Sequence, residues 1–442
     1  MKKFSAAILA LLVASSGFAL TVTNEVDGTF DSASYDTPNY IFWGNYFATY
    51  FYDMYPQFTN HIYSVSRSGA SWENQLKSQQ EKYCLPLWAS FRRIPSYDWM
   101  LANDNSSYVS NDVIYWGTNL FNAPPIFWNG TAFTNEGTLA SAVSVTHYAL
   151  GGIPEDRPDG DGGFAIGRNA AAMALAVKYK TPVVDMWHLL WTNGLSTDIT
   201  NNRLFGFYPG GHPYAAGHLC MALRALIALG ADTNVGSLTL NWATAQASTN
   251  HCVASGISVN GNTLACTVHF DRMPPAWDVP DGTVTNDARD AFVVMPDLGN
   301  SFRWMIQAVN LPAGTYNISV DGVLTDVATD AQLAAGRNWF TNYNGPLWAQ
   351  RASVLVWKRH QSGVDPVTLL PHSAGDMGVL GVGDLVNFQS FASQQYDTFG
   401  KRGDIYVASM ISWVFQMRQY DEQINAVAQQ TNHVLTITQV AP

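Results

Sequence analysis

Apolar positions first repeat at helical spacing between Trp43 and Tyr55, where Trp43, Phe47, Tyr50, Phe51 and Met54 share one face. Pro56 ends that run. His61 to Val65 then reads as a short strand, followed by Arg67-Ser68-Gly69-Ala70-Ser71 and a helix starting near Trp72. Tyr97 to Ala102 is the next strand, with Asn103-Asp104 at its carboxyl end. Val143 to Leu150 is another candidate strand, Arg168 to Tyr179 is an alanine-rich helix, and Thr181 to Met186 is a strand that carries Asp185. Ala216, Leu219, Cys220, Leu223 and Ile227 give a further buried helical face that ends near Gly230. Strands alternating with helices predict an α/β fold, a parallel sheet covered by helices on both faces. In such sheets the chemistry lies at the carboxyl ends of the strands. Thr21 to Asn39, ahead of these elements, is polar and shows little periodicity.

The pattern changes from Ser237 to Val327, where short alternating runs read as hairpins. Gly256 to Val259 and Thr263 to Val268 flank Asn260-Gly261-Asn262, a strong turn signal. Leu311 to Val323 reads as two strands joined at Asp321-Gly322. A stripe of Tyr406, Met410, Trp413, Val414, Met417 and Ile424 predicts a helix between Gly403 and Gln429. The expected organisation is a signal peptide over 1–19, an α/β domain over 20–235, a β-rich accessory domain over 236–330 and a helical or mixed region over 331–442.

Composition narrows the function. The chain has 442 residues, of which 47% are hydrophobic and 13% charged, enough for a large core and against disorder. A net charge of -11, with no basic run beyond Lys2 and Lys3, argues against nucleic acid or an anionic membrane as partner. Lys2 and Lys3, the apolar run Ala6 to Ala14 and the small residues Gly17 and Ala19 have the layout of a signal peptide, so the protein is expected to be secreted or periplasmic. No later segment is long and apolar enough to predict stable membrane insertion. Cys252 and Cys266 could face each other across the first hairpin as a disulfide; Cys220 reads as a small core hydrophobe, and Cys84 is open. No ligand spacing predicts a metal, and Asp156, Asp159 and Asp161 read as an ordinary polar loop. Asn105, Asn129 and Asn317 begin glycosylation sequons.

The most informative stretch runs from Gly206 to Ala222. Pro209, Gly210 and Gly211 make a turn, His212 sits on it, and Pro213 opens the next helix. The order His212-Pro213-Tyr214-Ala215-Ala216-Gly217-His218 resembles the fifth conserved block of the SGNH (GDSL) esterase and lipase family. Three further stretches resemble other blocks of that family. Phe30-Asp31-Ser32 stands for Gly-Asp-Ser, with Ser34 as a fallback nucleophile. Gly69, after a strand, stands for the oxyanion-hole glycine, and Leu101-Ala102-Asn103-Asp104 for Gly-x-Asn-Asp. Phe30 and Leu101 replace glycines, and Pro209 replaces the family's aspartate.

The resemblance implies a flavodoxin-like three-layer sheet and a carboxylic ester hydrolase that needs no cofactor or metal. Ser32 would be the nucleophile and His212 the general base, with Gly69 and Asn103 forming the oxyanion hole. Asp185, or Asp198, would support the histidine. The substrate would be a small-molecule or carbohydrate ester. Two alternatives stay open: a catalytically degenerate fold that binds a glycan or ester, and a surface or scaffold protein using its β-rich part.

Overall fold

The computed structural model describes residues 25–30, 43–56, 59–64, 96–97, 99–103, 127–128, 133–134, 138–139, 142–145, 183–184, 215–228, 230–277, 288–343, 422–428 and 432–440. Five strands make the first sheet: β1 (Glu25–Phe30), β2 (Thr59–Ser64), β3 (Trp99–Asn103), β4 (Ala142–Val145) and β5 (Val183–Val184). Their order is β2-β1-β3-β4-β5, and every adjacent pair is parallel. β1 lies inside the sheet although Glu25-Val26-Asp27-Gly28-Thr29-Phe30 has none of the apolar run usual in a buried parallel strand. Its place comes from pairing on both edges: Phe30 is level with Ser64 of β2 and with Leu101 of β3.

Two helices contact this sheet, α1 (Trp43–Met54) and α2 (Ala215–Ala228), and they also pack on each other. The expected apolar face of α1 is buried at Phe47, Tyr50, Phe51 and Met54, and Tyr46, Tyr52 and Asp53 are buried too. On α2 every residue from Ala215 to Leu226 is buried. A helix buried all round is covered on more than one side. Here the second cover is the β-rich part of the chain.

That part contains β6 (Asn234–Asn241), β7 (Gln246–Asn250), β8 (Cys252–Asn260), β9 (Thr263–Phe270), α3 (Asp290–Val294), α4 (Pro296–Ser301), β10 (Arg303–Val309), β11 (Thr315–Val320), β12 (Val323–Thr329), α5 (Asp330–Ala335), β13 (Arg337–Asn338), α6 (Trp339–Asn342) and β14 (Asn432–Gln439). One sheet runs β7-β6-β10-β13 and the other β8-β9-β14-β11-β12. Phe270 meets Trp304 at 5.4 Å and Trp242 meets Tyr316 at 6.0 Å, so the two sheets share a core. Both expected hairpins form. The β11–β12 turn places Asp321 at φ 51 and Gly322 at φ 77, the pair of positive φ values that a type I′ turn requires. β14, from the region expected to stand apart as helical or mixed, lies between β9 and β11. Of the helix expected between Gly403 and Gln429, residues 422–428 are described, and they are helical.

The disulfide expected between Cys252 and Cys266 is not formed; both are buried free thiols. Cys252 is level with Phe270, four positions along β9 from Cys266. At about 3.3 Å per residue that offset is roughly 13 Å, well beyond the ~7 Å limit between bridged α-carbons. The hairpin signal was sound, but the register puts the two residues on different rungs.

Candidate active site

Asn103 is the last residue of β3 and pairs with Val145 of β4. Ser32, Ser34, Gly69, Asp185, Asp198, His212, Asp104 and Pro209 lie outside the described residues, so their relation to the fold is one of chain position. Ser32 follows the last residue of β1 by two positions, and Gly69 follows the last of β2 by five. Asp185 comes directly after β5, and His212 stands three residues before α2. β1, β2, β3 and β5 run in parallel, so their carboxyl ends share one edge of the sheet. At no more than about 3.6 Å per residue, His212 is held within roughly 11 Å of the start of α2.

β1 and β3 are neighbours in space although β2 comes between them in the chain. The strand order therefore reverses between them. The crevice beyond the carboxyl ends at such a reversal is where open parallel sheets bind ligands. At this point β3 ends in Asn103, and in the chain Ser32 comes two residues beyond the end of β1.

α2 is anchored along its body. Cys220 Sγ lies 4.0 Å from the Ala291 carbonyl, and the buried Arg224 forms an ion pair with Asp297 at 2.6 Å. The Arg224 guanidinium also approaches Met295 Sδ at 3.7 Å. His218, on the body of α2, is 1% exposed. α1 is anchored in the same way. Tyr50 donates to the Asp232 carbonyl at 2.9 Å, and its ring meets Phe302 at 6.0 Å. Tyr46 meets Trp277 at 6.1 Å. Phe302 stacks on Phe340 at 4.8 Å with planes 9° apart, and Trp277 donates to the Phe340 carbonyl at 2.8 Å.

A polar cluster closes the seam beside these rings. Arg272 pairs with Asp232 at 2.6 Å and covers the Tyr55 ring at 5.6 Å. Burial, then the Arg272 charge, pull His251 below its usual pKa. Burial first, and then Tyr55, hold the Tyr50 hydroxyl well above the usual range. The residue-by-residue reading missed this seam. Its signal was composition: Tyr46, Tyr52 and Asp53 break the one-sided pattern of α1.

Burial pushes both Cys252 and Cys266 up to about 12, so neither thiol is a nucleophile at neutral pH. Among the described residues, no group of three or more His, Cys, Asp or Glu side chains could hold a metal ion. Among them, too, no helix is long and apolar enough to cross a membrane.

No family model matches the chain, and no curated protein matches it. Solved structures do. The chain is similar to a gut microbial diltiazem-metabolizing enzyme, with 13% identity over 96% of this chain and 100% of that one, at a TM-score of 0.67. That likeness, over nearly the whole length, shows a shared fold. Shorter likenesses cover 48% of this chain. One is to an acetylxylan esterase from Geobacillus stearothermophilus, with 12% identity, 96% of that chain and a TM-score of 0.33. Another is to a protein described as a GDSL-like lipase from Parabacteroides merdae, with 14% identity, 99% of that chain and a TM-score of 0.34.

Proposed function

We propose that the protein is an exported serine esterase of SGNH type that hydrolyses carboxylic esters, with acylated carbohydrate as the first substrate class to test. The observation that carries this reading is the strand reversal between β1 and β3. It sets the end of β1, where the Phe30-Asp31-Ser32 block begins, beside β3, which ends in Asn103, and this supports the reading. The order β2-β1-β3-β4-β5, all parallel, is the flavodoxin-like order and supports the three-layer reading. The full-length fold likeness to an enzyme described as diltiazem-metabolizing agrees with a small-molecule substrate.

In this reading Ser32 Oγ attacks the ester carbonyl carbon while His212 takes its proton. The Gly69 N–H and the Asn103 amide hold the oxyanion. A glycine suits the first role because a side chain would block the approach, and a neutral amide suits the second. The tetrahedral intermediate collapses, the C–O bond to the alcohol breaks, and His212 returns the proton to the leaving oxygen. Water then cleaves the acyl-enzyme by the same route, releasing the acid. Pro209 offers no side-chain acceptor, so the His212 Nδ1–H is received by a backbone carbonyl of the turn or by Asp185. The Ser–His pair is then less well supported than a full triad.

A fluorophosphonate probe tests the reading directly. Labelling that maps to Ser32 and disappears in Ser32→Ala, together with hydrolysis of an aryl acetate above background, is the expected result. Wild-type and Ser32→Ala proteins that both hydrolyse at the buffer rate would leave the binding reading in its place.

A further inference from the structure

Asp53, in the last turn of α1, is fully buried at 0% exposure. Among the described residues, neither of its carboxyl oxygens has a hydrogen-bond partner. Its backbone carbonyl accepts from the Met273 N–H at 2.7 Å, a contact that joins α1 to the chain leaving β9. Asp53 thus sits on the seam between the α/β part and the β-rich part. A carboxylate there would have neither water nor a counter-charge to replace its hydration. Burial accordingly holds this carboxyl well above the usual carboxylate range.

Among the described residues, the cations on the elements around it are paired with other carboxylates. From the end of α6 comes Tyr343, whose hydroxyl is raised by burial first, then by Asp321 and Asp53. From the β9 exit comes Arg272, which is paired with Asp232 at 2.6 Å. On α2 the titratable groups are His218, Cys220 and Arg224, the last paired with Asp297 at 2.6 Å. α1 itself adds Tyr46, Tyr50 and Tyr52, with Tyr55 just beyond; β2, which contacts α1, carries His61 and Tyr63 in its sequence. Asp321 in turn is held by His433 Nδ1 at 2.6 Å.

We propose that Asp53 is a proton-controlled latch on this seam: α1 is closed against the β-rich part while the carboxyl is protonated, and the contact loosens when it ionises. The folded-state pKa lies above the unfolded one, so between the two the folded protein holds the extra proton. Stability is then greatest below the unfolded pKa and is lost as pH rises through the folded pKa. α1 packs on α2, so the loosening passes to the helix that follows His212.

The test uses the full chain with Asp53→Asn and Asp53→Leu, which keep the approximate size and remove the ionisation. Thermal midpoints are measured from about pH 5 to about pH 9. The wild-type midpoint is expected to fall by a few degrees relative to both variants as pH rises. Midpoint curves that stay parallel across that range overturn the latch. Amide exchange of the wild type decides the matter even if neither variant folds. The protection factor at Met273 should drop with rising pH while β11 keeps its protection. Constant protection at Met273, or a drop shared equally by β11, overturns the proposal.

Discussion

Phe30 of β1 and Leu101 of β3 are partners in the parallel ladder, and Ser32 and Asn103 each stand two residues further along the chain. Neighbouring strands lie about 4.8 Å apart, so the end of β1 and the end of β3 open on the same short stretch of sheet edge. The proposed mechanism needs the oxyanion donor beside the nucleophile, and the β1–β3 pairing brings those two strand ends together. Asn103→Ala should therefore lower kcat by roughly a hundred- to a thousand-fold with little change in KM, because the donor acts mainly in the transition state. Steady-state kinetics on an aryl acetate measure it. An unchanged kcat would place the oxyanion hole elsewhere.

His212 and His218 should separate cleanly. His218 is buried on α2, so His218→Ala is expected to lower the unfolding midpoint while the folded protein keeps its proposed hydrolysis. His212→Ala should do the reverse. Paired melting curves and rates per folded molecule would show it, and loss of hydrolysis in His218→Ala alone would exchange the two roles.

Pro209 stands where the resembled family carries aspartate. Losing the triad carboxylate costs a serine protease about ten-thousand-fold in turnover, so wild-type hydrolysis should be slow. Pro209→Asp should raise it, provided the turn tolerates release of the proline's fixed φ. A rate no different from wild type, in a variant with an unchanged circular dichroism spectrum, would show that another acceptor already serves His212.

Phe340 ties the seam together through its stack on Phe302 at 4.8 Å and its edge contact with Trp277 at 5.3 Å. Phe340→Ala should cost about 3–5 kcal/mol, the usual loss for truncating a buried aromatic. Denaturant unfolding followed by tryptophan fluorescence would measure it. A loss below about 1 kcal/mol would mean that the cluster repacks.

Cys252 and Cys266 should behave as inert core thiols. With pKa values of about 12, the thiolate fraction at neutral pH is negligible. Alkylation of the native protein should spare both, and denaturation should expose both to the reagent. Peptide mass mapping before and after unfolding reads this out. A bridged peptide in the unreduced protein would restore the disulfide.

What the chain determined by itself is local. The helix from Trp43 and the helix after Pro213 follow from apolar spacing. The Asp321-Gly322 turn follows from the need for two positive φ values, which few residue types tolerate. Of the candidate site residues in the strand-end motifs, only Asn103 falls among the described residues, where it ends β3. Tertiary structure alone decided the rest. Glu25–Phe30 became an interior strand through its two neighbours, against its own polarity. Asn432–Gln439 entered the sheet between β9 and β11, partners more than a hundred residues away. A register offset, invisible in the hairpin signal, separated Cys252 from Cys266. The seam that buries Asp53 forms where α1 meets the β-rich part, through Tyr46, Tyr50 and the Asp53 carbonyl. Periodicity and turn chemistry act over a few residues and are written along the chain. Strand partners, registers and burial are set by contacts between distant segments, which no short stretch of sequence contains.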